Sequence, residues 1–240
     1  MIVKSQIKLI RSLHQKKYRN QYGLFFAEGI KTVQDLLNSD FEVHQVYMTE
    51  ASLFEVSEEK STLISEAELK KISALATPNK VLGVFKIPTL KEIDFDDWIV
   101  ALEDVRDPGN LGTIIRLCDW FGIEYLVCSS DTVDCYNPKA LQATMGSIAR
   151  VNIGYTDLDD FLLNADSPIY GAFMDGDTVY RTTLPKKGIL VMGNEAKGIS
   201  AGVEAIISKK VSIPQFGKQT TESLNVATAT AILLSELRRG

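Results

Sequence analysis

From Trp98 onward, short apolar runs alternate with stretches of helical periodicity, and this alternation restricts the carboxyl-terminal part of the chain to an α/β fold. Strands are expected over residues 99–102, 125–128, 151–155, 169–174, 188–192 and 211–213. Helices are expected over 111–121, 138–148, 158–163, 201–208 and about 221–238. Parallel neighbours need long connections, and helices supply them. The sheet should therefore be mainly parallel, doubly wound and covered on both faces. The consecutive apolar residues Ile189, Leu190 and Val191 suit a central strand of such a sheet.

The residues before this region read as a smaller α/β domain. An amphipathic stretch runs from Ile7 to Leu13, with helices over 29–37 and 66–75 and strands over 43–48, 62–64 and 81–87. Residues 88–97, with a proline and four acids, read as a linker. Two domains are expected, over 1–88 and 97–240.

Charge separates the two regions further. The chain carries a formal −5, yet residues 1–31 hold Lys4, Lys8, Arg11, Lys16, Lys17, Arg19 and Lys31 against the single acid Glu28. A basic segment on an acidic body is compatible with binding a phosphate backbone, although a solvated helix face would carry the same charges. No apolar run approaches the roughly 18 residues of a membrane span, and the amino terminus lacks a compact apolar signal core, so a cytoplasmic protein without membrane contact is expected. Cys118, Cys128 and Cys135 are odd in number and lack paired spacing, which argues against a disulfide framework or a zinc site. His14 and His44 are isolated, so no metal is expected.

Three patches stand at the ends of expected strands, where the loops of open α/β sheets collect ligands. In the first, Asp107-Pro108-Gly109-Asn110-Leu111-Gly112, the turn leads to Asn110 as the expected cap of a helix beginning at Leu111. Along that helix Leu111, Ile114, Ile115, Cys118 and Phe121 form the apolar stripe, which turns Thr113, Arg116 and Trp120 outward. Arg116 is then available to a substrate or to a surface pair with Asp119. In the second patch, Met192-Gly193-Asn194-Glu195-Ala196-Lys197-Gly198, two glycines flank Glu195, a carboxylate that either organises neighbouring donors or sits in solvent. In the third, Ile213-Pro214 stops a strand, and Thr221 or Ser223 is the expected cap of a small-residue helix with Asn225 in its first turn.

Other site types lack their residues. There is no G-x-G-x-x-G after a strand, and Gly217-Lys218 lacks the rest of a P-loop. No G-x-S-x-G is present for a hydrolase.

Taken together, the three patches resemble the motifs of the SpoU (TrmH-like) family of RNA ribose 2′-O-methyltransferases, within the SPOUT superfamily. The resemblance rests on Asn110-Leu111-Gly112-Thr113-Ile114-Ile115-Arg116, on Met192-Gly193-Asn194-Glu195 with Gly198, and on Ile213-Pro214 with Ser223-Leu224-Asn225-Val226. Lys16-Lys17-Tyr18-Arg19 and Phe25-Phe26-Ala27-Glu28-Gly29 are similar to the substrate-binding domain that many members carry ahead of the catalytic one. The resemblance implies a deep carboxyl-terminal trefoil knot and a homodimer formed through the knot region. It implies S-adenosylmethionine held by Met192, Gly193, Ile213, Leu224 and Asn225. Arg116 would lead the reaction centre, with Asn110, Glu195, Ser223 and Asn225 orienting it and the RNA. In the first domain Lys8, Arg11, Lys16, Lys17 and Arg19 would dock RNA, with Tyr18 available to stack on a base. Ribosomal RNA is the expected substrate; transfer RNA, or a ribosome-assembly role with little activity, stays open.

Overall fold

A computed structural model describes residues 1–217 and 223–239 of the chain. It divides into two compact units: Met1–Thr89 with Asp134–Arg150, and Leu90–Val133 with the chain from Val151 onward. The segment Asp134–Arg150 thus groups with the amino-terminal residues, although it lies inside the stretch where the sequence places the second domain.

The first unit begins with α1 (Lys4–Ser12) and α2 (Lys16–Tyr22), followed by β1 (Leu24–Glu28), α3 (Ile30–Leu37), β2 (Val43–Met48), β3 (Ser61–Leu63), α4 (Glu66–Ile72) and β4 (Val81–Lys86). The sheet order is β1-β4-β2-β3; β4 is antiparallel to both of its neighbours and β3 is parallel to β2. α1 and α4 close one face of this sheet, where Ile10, Leu13, Leu69 and Ile72 meet Leu24, Phe26, Leu82 and Val84. α4 starts where the sequence provides a capping box: Ser65 Oγ accepts from Glu68 N, and Glu68 accepts from Ser65 N at 2.9 Å. β1 and α2 were not expected as elements. Leu24, Phe25, Phe26 and Ala27 are all buried, so β1 has no alternating pattern by which a half-buried strand is recognised.

The second unit contains β5 (Trp98–Leu102), α5 (Pro108–Trp120) and β6 (Tyr125–Ser129). The chain then gives α6 (Pro138–Thr144) to the first unit and returns with β7 (Asn152–Thr156), α7 (Leu158–Leu163), β8 (Ile169–Thr178), β9 (Gly188–Met192), α8 (Ala201–Ile206), β10 (Lys209–Ser212) and α9 (Val226–Leu237). The expected helix over 138–148 is broken at Met145, which takes φ +52 and ends α6 before a short 3-10 turn. The six strands are ordered β10-β8-β9-β5-β6-β7, and every neighbouring pair is parallel. On one face Ile99, Ala101, Ile189 and Val191 pack with Leu158, Leu162 and Val203. The intervening Val100, Leu102 and Leu190 are buried as well. A strand covered on both faces cannot alternate, and β5 and β9 therefore read as unbroken apolar runs.

The sheet order positions the site. β5 is followed by α5 and then β6 on one side, whereas β9, its neighbour on the other side, is followed by α8 and then β10 beyond β8. Connections that leave adjacent strands in opposite directions open a crevice beyond their carboxyl ends. Among the described residues no helix is long and apolar enough to cross a membrane.

Candidate functional site

The loop leaving β5 is shaped by Asp104, a non-glycine residue at φ +51. Aspartate is one of the few side chains that tolerates that region. Asp104 N donates to Ser129 Oγ at 2.9 Å, and its carbonyl accepts from Asn194 Nδ2 at 2.7 Å, so bonds from two neighbouring strand ends hold it. Arg106 Nε donates to Asp104 Oδ1 at 2.7 Å; this contact raises the guanidinium pKa. α5 then begins three residues earlier than expected. Asp107 is its N-cap, accepting from Asn110 N at 2.8 Å, and Pro108 occupies the first helical position, where a missing N–H costs nothing.

Asn110 is therefore not the cap, and its side chain is left free for another task. Its Nδ2 donates to Glu195 Oε1 at 3.1 Å, while its Oδ1 accepts from Asn225 Nδ2 at 2.9 Å. Asn225, expected inside the last helix, is instead the N-cap of α9: its Oδ1 accepts from Ala227 N at 3.0 Å and Thr228 N at 3.2 Å. Ser223 precedes that cap, and Thr221, the other expected cap, lies outside the described residues. Glu195 also accepts from the backbone N–H groups of Arg106 and Asp107, both at 3.3 Å. A carboxylate only accepts, so Glu195 obliges Asn110 to present its NH₂, which leaves the Asn110 oxygen for the Asn225 amide. One side-chain relay thus joins the loops that follow β5, β9 and β10.

Beside the relay, the loop after β9 closes on itself. Asn194 and Gly198 exchange backbone bonds of 3.0 and 2.9 Å, and Asn194 Oδ1 accepts from Ala196 N and Lys197 N. Gly198 takes φ +70, and a Cβ on Gly193 would come within 2.3 Å of the Gly198 backbone. Both positions need glycine for this loop to form.

The closed loop borders a cleft of about 710 Å³, within the range of small-molecule sites. Met192, Gly193, Ile213 and Leu224 of the expected cofactor set line it, as do Glu195 and Ser223. Asn225 stands outside the lining, at the relay. Arg116 is also outside the lining: it is exposed on α5, opposite the buried Leu111, Ile114, Ile115 and Cys118. Sequence reasoning passed over Asp104, Asn194 as a loop organiser, and the cleft wall made by Ala229 and Leu233 of α9. Spacing alone does not mark them, because each acts through a tertiary contact. Among the described residues no group of three or more His, Cys, Asp and Glu could hold a metal ion. Cys118, Cys128 and Cys135 are buried and outside any disulfide; burial pushes the Cys118 thiol pKa up, so it stays protonated.

In the first unit, Lys8, Arg11, Lys16 and Lys17 are exposed, as docking to a phosphate backbone requires. Arg19 is not. Only 2 % of its side chain is accessible; Nε donates to Asp134 Oδ2 at 2.8 Å and Nη1 to the Leu13 carbonyl at 2.7 Å. The expectation that Arg19 contacts RNA is corrected: its donors are spent inside the unit on a buried partner.

Residues 97–235 match the family described as the SpoU rRNA Methylase family, and residues 4–83 match an MRM3-like substrate binding domain. The chain is 28% identical to a 23S rRNA (guanosine(2553)-2'-O)-methyltransferase of Bacillus subtilis, over 97% of this chain and 96% of that protein. Among solved structures, a TrmH-family protein from Porphyromonas gingivalis superposes with a TM-score of 0.92 at 37% identity, covering 100% of this chain and 99% of that one. An S-adenosylmethionine-bound rRNA methyltransferase from Sinorhizobium meliloti superposes at 0.88 with 30% identity, covering 100% and 96%.

Proposed function

The chain belongs to the SpoU rRNA methylase family, and on that premise we propose that it transfers a methyl group from S-adenosylmethionine to a ribose 2′-hydroxyl of ribosomal RNA. The observation that supports this reading best is the Asn225–Asn110–Glu195 relay, which ties the loop after β5 to the loops after β9 and β10 that border one cleft. The cleft joins apolar walls from Ile213, Leu224 and Leu233 to polar groups from Asn194, Glu195 and Ser223. That mix fits a cofactor with a flat base and a charged amino-acid end.

The cofactor supplies an electrophilic methyl group; the chain's residues place the hydroxyl and manage its charge. Arg116 is the group for that second task. An arginine is a poor general base, since it stays protonated far above neutral pH. It is suited to binding the phosphate beside the reacting ribose and to stabilising the alkoxide as its proton leaves to that phosphate or to water. Exposure of Arg116 on α5 supports contact with an RNA that arrives from solvent. Asn110, Glu195, Ser223 and Asn225 orient the loops and the nucleotide, and Met192, Gly193, Ile213 and Leu224 form the cofactor wall.

The same reading includes a deep carboxyl-terminal trefoil knot, which a crystal structure of the protein would test. It includes a homodimer formed through the knot helices; Trp120, 82 % exposed at the end of α5 where α5 packs on α9, supports a covered face there. It also includes a substrate-binding domain over 1–88, a catalytic domain over 97–240 and a cytoplasmic location, the last open to cell fractionation. A ribose-methylation map of total RNA from cells with and without the gene tests the whole: one 2′-O-methyl position in ribosomal RNA should disappear. Loss of a transfer-RNA position, or no loss, would contradict it.

A further inference from the structure

α2 is held by a single buried side chain, and that side chain is charged. Among its seven residues only Arg19 is buried, so the helix is oriented by the ion pair to Asp134 and the bond to Leu13 rather than by an apolar stripe. With Arg19 turned inward and Tyr18 half-buried beside it, the other five residues of the helix are exposed. Tyr18 and Tyr22, four residues apart on one helix face, stack with ring centroids 6.3 Å apart and planes 17° from parallel. The Lys17 ammonium lies 5.8 Å from the Tyr18 centroid. Core packing does not account for Tyr22, a large ring left 47 % exposed. From Lys4 to Tyr22 there is no Asp or Glu, and Lys4, Lys8, Arg11, Lys16 and Lys17 are all exposed.

We propose that Tyr18 and Tyr22 form a stacking platform for unpaired nucleotides of the RNA substrate, with Tyr22 taking the base, Tyr18 backing it, and Lys16 and Lys17 at the flanking phosphates. This rests on the reading that the chain acts on RNA, and it names the class of RNA segment the first unit takes. Every base offers a π-face to an aromatic ring, so such a platform is tolerant of sequence. An A-form duplex keeps its base faces stacked internally, whereas loops and bulges expose them. Rings and cations together therefore select single-stranded over duplex segments, the cations alone binding either.

The test measures binding of the full-length protein, by fluorescence anisotropy, to a short single-stranded oligouridine and to an RNA duplex of equal length. Tyr22→Ala should weaken single-strand binding by about tenfold, the scale of losing one base–aromatic stack. Tyr22→Phe, which keeps the ring, should stay within about twofold of wild type. Duplex affinity should be unchanged in both, while Lys16→Ala with Lys17→Ala should weaken both probes and flatten their salt dependence. The platform is overturned if Tyr22→Ala binds the single strand like wild type, if Phe loses as much as Ala, if both probes weaken equally, or if the wild-type protein binds neither. Ribose methylation measured on the same preparations separates the two readings. Normal methylation with an unaltered Tyr22→Ala affinity removes the platform alone, and its absence in wild type removes the assigned reaction.

Discussion

Arg19 sits in the most basic run of the chain and yet spends its charge inside the first unit. Its partner, Asp134, lies 115 residues away, so composition could not separate it from Lys16 and Lys17 beside it. Removing one member of a buried pair leaves the other charge unpaired, and Arg19→Ala should destabilise the protein by about 3–5 kcal/mol in denaturant unfolding. Arg19→Met combined with Asp134→Leu should recover most of that loss, because no orphaned charge remains. A loss below about 1 kcal/mol for Arg19→Ala would show that solvent reaches the pair. Asn110 shows the same limit at the site: its residue type was informative, but its task was decided by Glu195 and Asn225, 85 and 115 positions away.

The elements of the second unit were largely legible, and the reason is burial. Covered on both faces, β5 and β9 stand out as apolar runs, and the expected strand over 188–192 coincides with β9. Helix starts were less legible, since cap-competent residues come in clusters: Asp107 and Asn110 at the start of α5, and Thr221, Ser223 and Asn225 ahead of Val226, where α9 begins. Propensity ranks such residues alike, and tertiary bonds choose among them. The choice of Asn225 has a measurable consequence, because its oxygen caps α9 while its NH₂ reaches Asn110. Asn225→Ala should lose about 1 kcal/mol of stability together with the relay. Asn225→Asp retains the capping oxygen and suits the helix N-terminus, but cannot donate to Asn110. Its thermal stability should approach wild type while its single-turnover methyl transfer falls. Full activity in Asn225→Asp would reduce this residue to a cap.

At the scale of the molecule, the doubly wound sheet was legible from strand and helix alternation, but the strand order was not. The insertion of β9 between β8 and β5 depends on long-range register, which no local pattern encodes, and that order is what creates the crevice. The ends of this fold are tied by Arg238, whose guanidinium grips both oxygens of Asp97 at 2.7 and 2.6 Å. These bonds hold the Asp97 carboxyl below its ordinary value of 3.8. The unfolded chain takes up that proton first as the pH falls, so the stabilisation is present above 3.8 and is lost as the pH drops through the lower, folded value. Asp97→Asn should accordingly cost about 0.5–1 kcal/mol at neutral pH and converge with wild type in acid. An equal gap at both pH values would contradict that linkage. Sedimentation at micromolar concentration should give a dimer; a monomer would remove the homodimer from the account. The assigned reaction itself is tested most directly by incubating the purified protein with methyl-labelled S-adenosylmethionine and unmodified ribosomal RNA, then digesting the RNA to nucleosides. The label should appear on a ribose 2′-oxygen, and Arg116→Ala should slow its appearance by about 10²–10³-fold. Label on a base, no label, or an undiminished rate in Arg116→Ala would contradict the account.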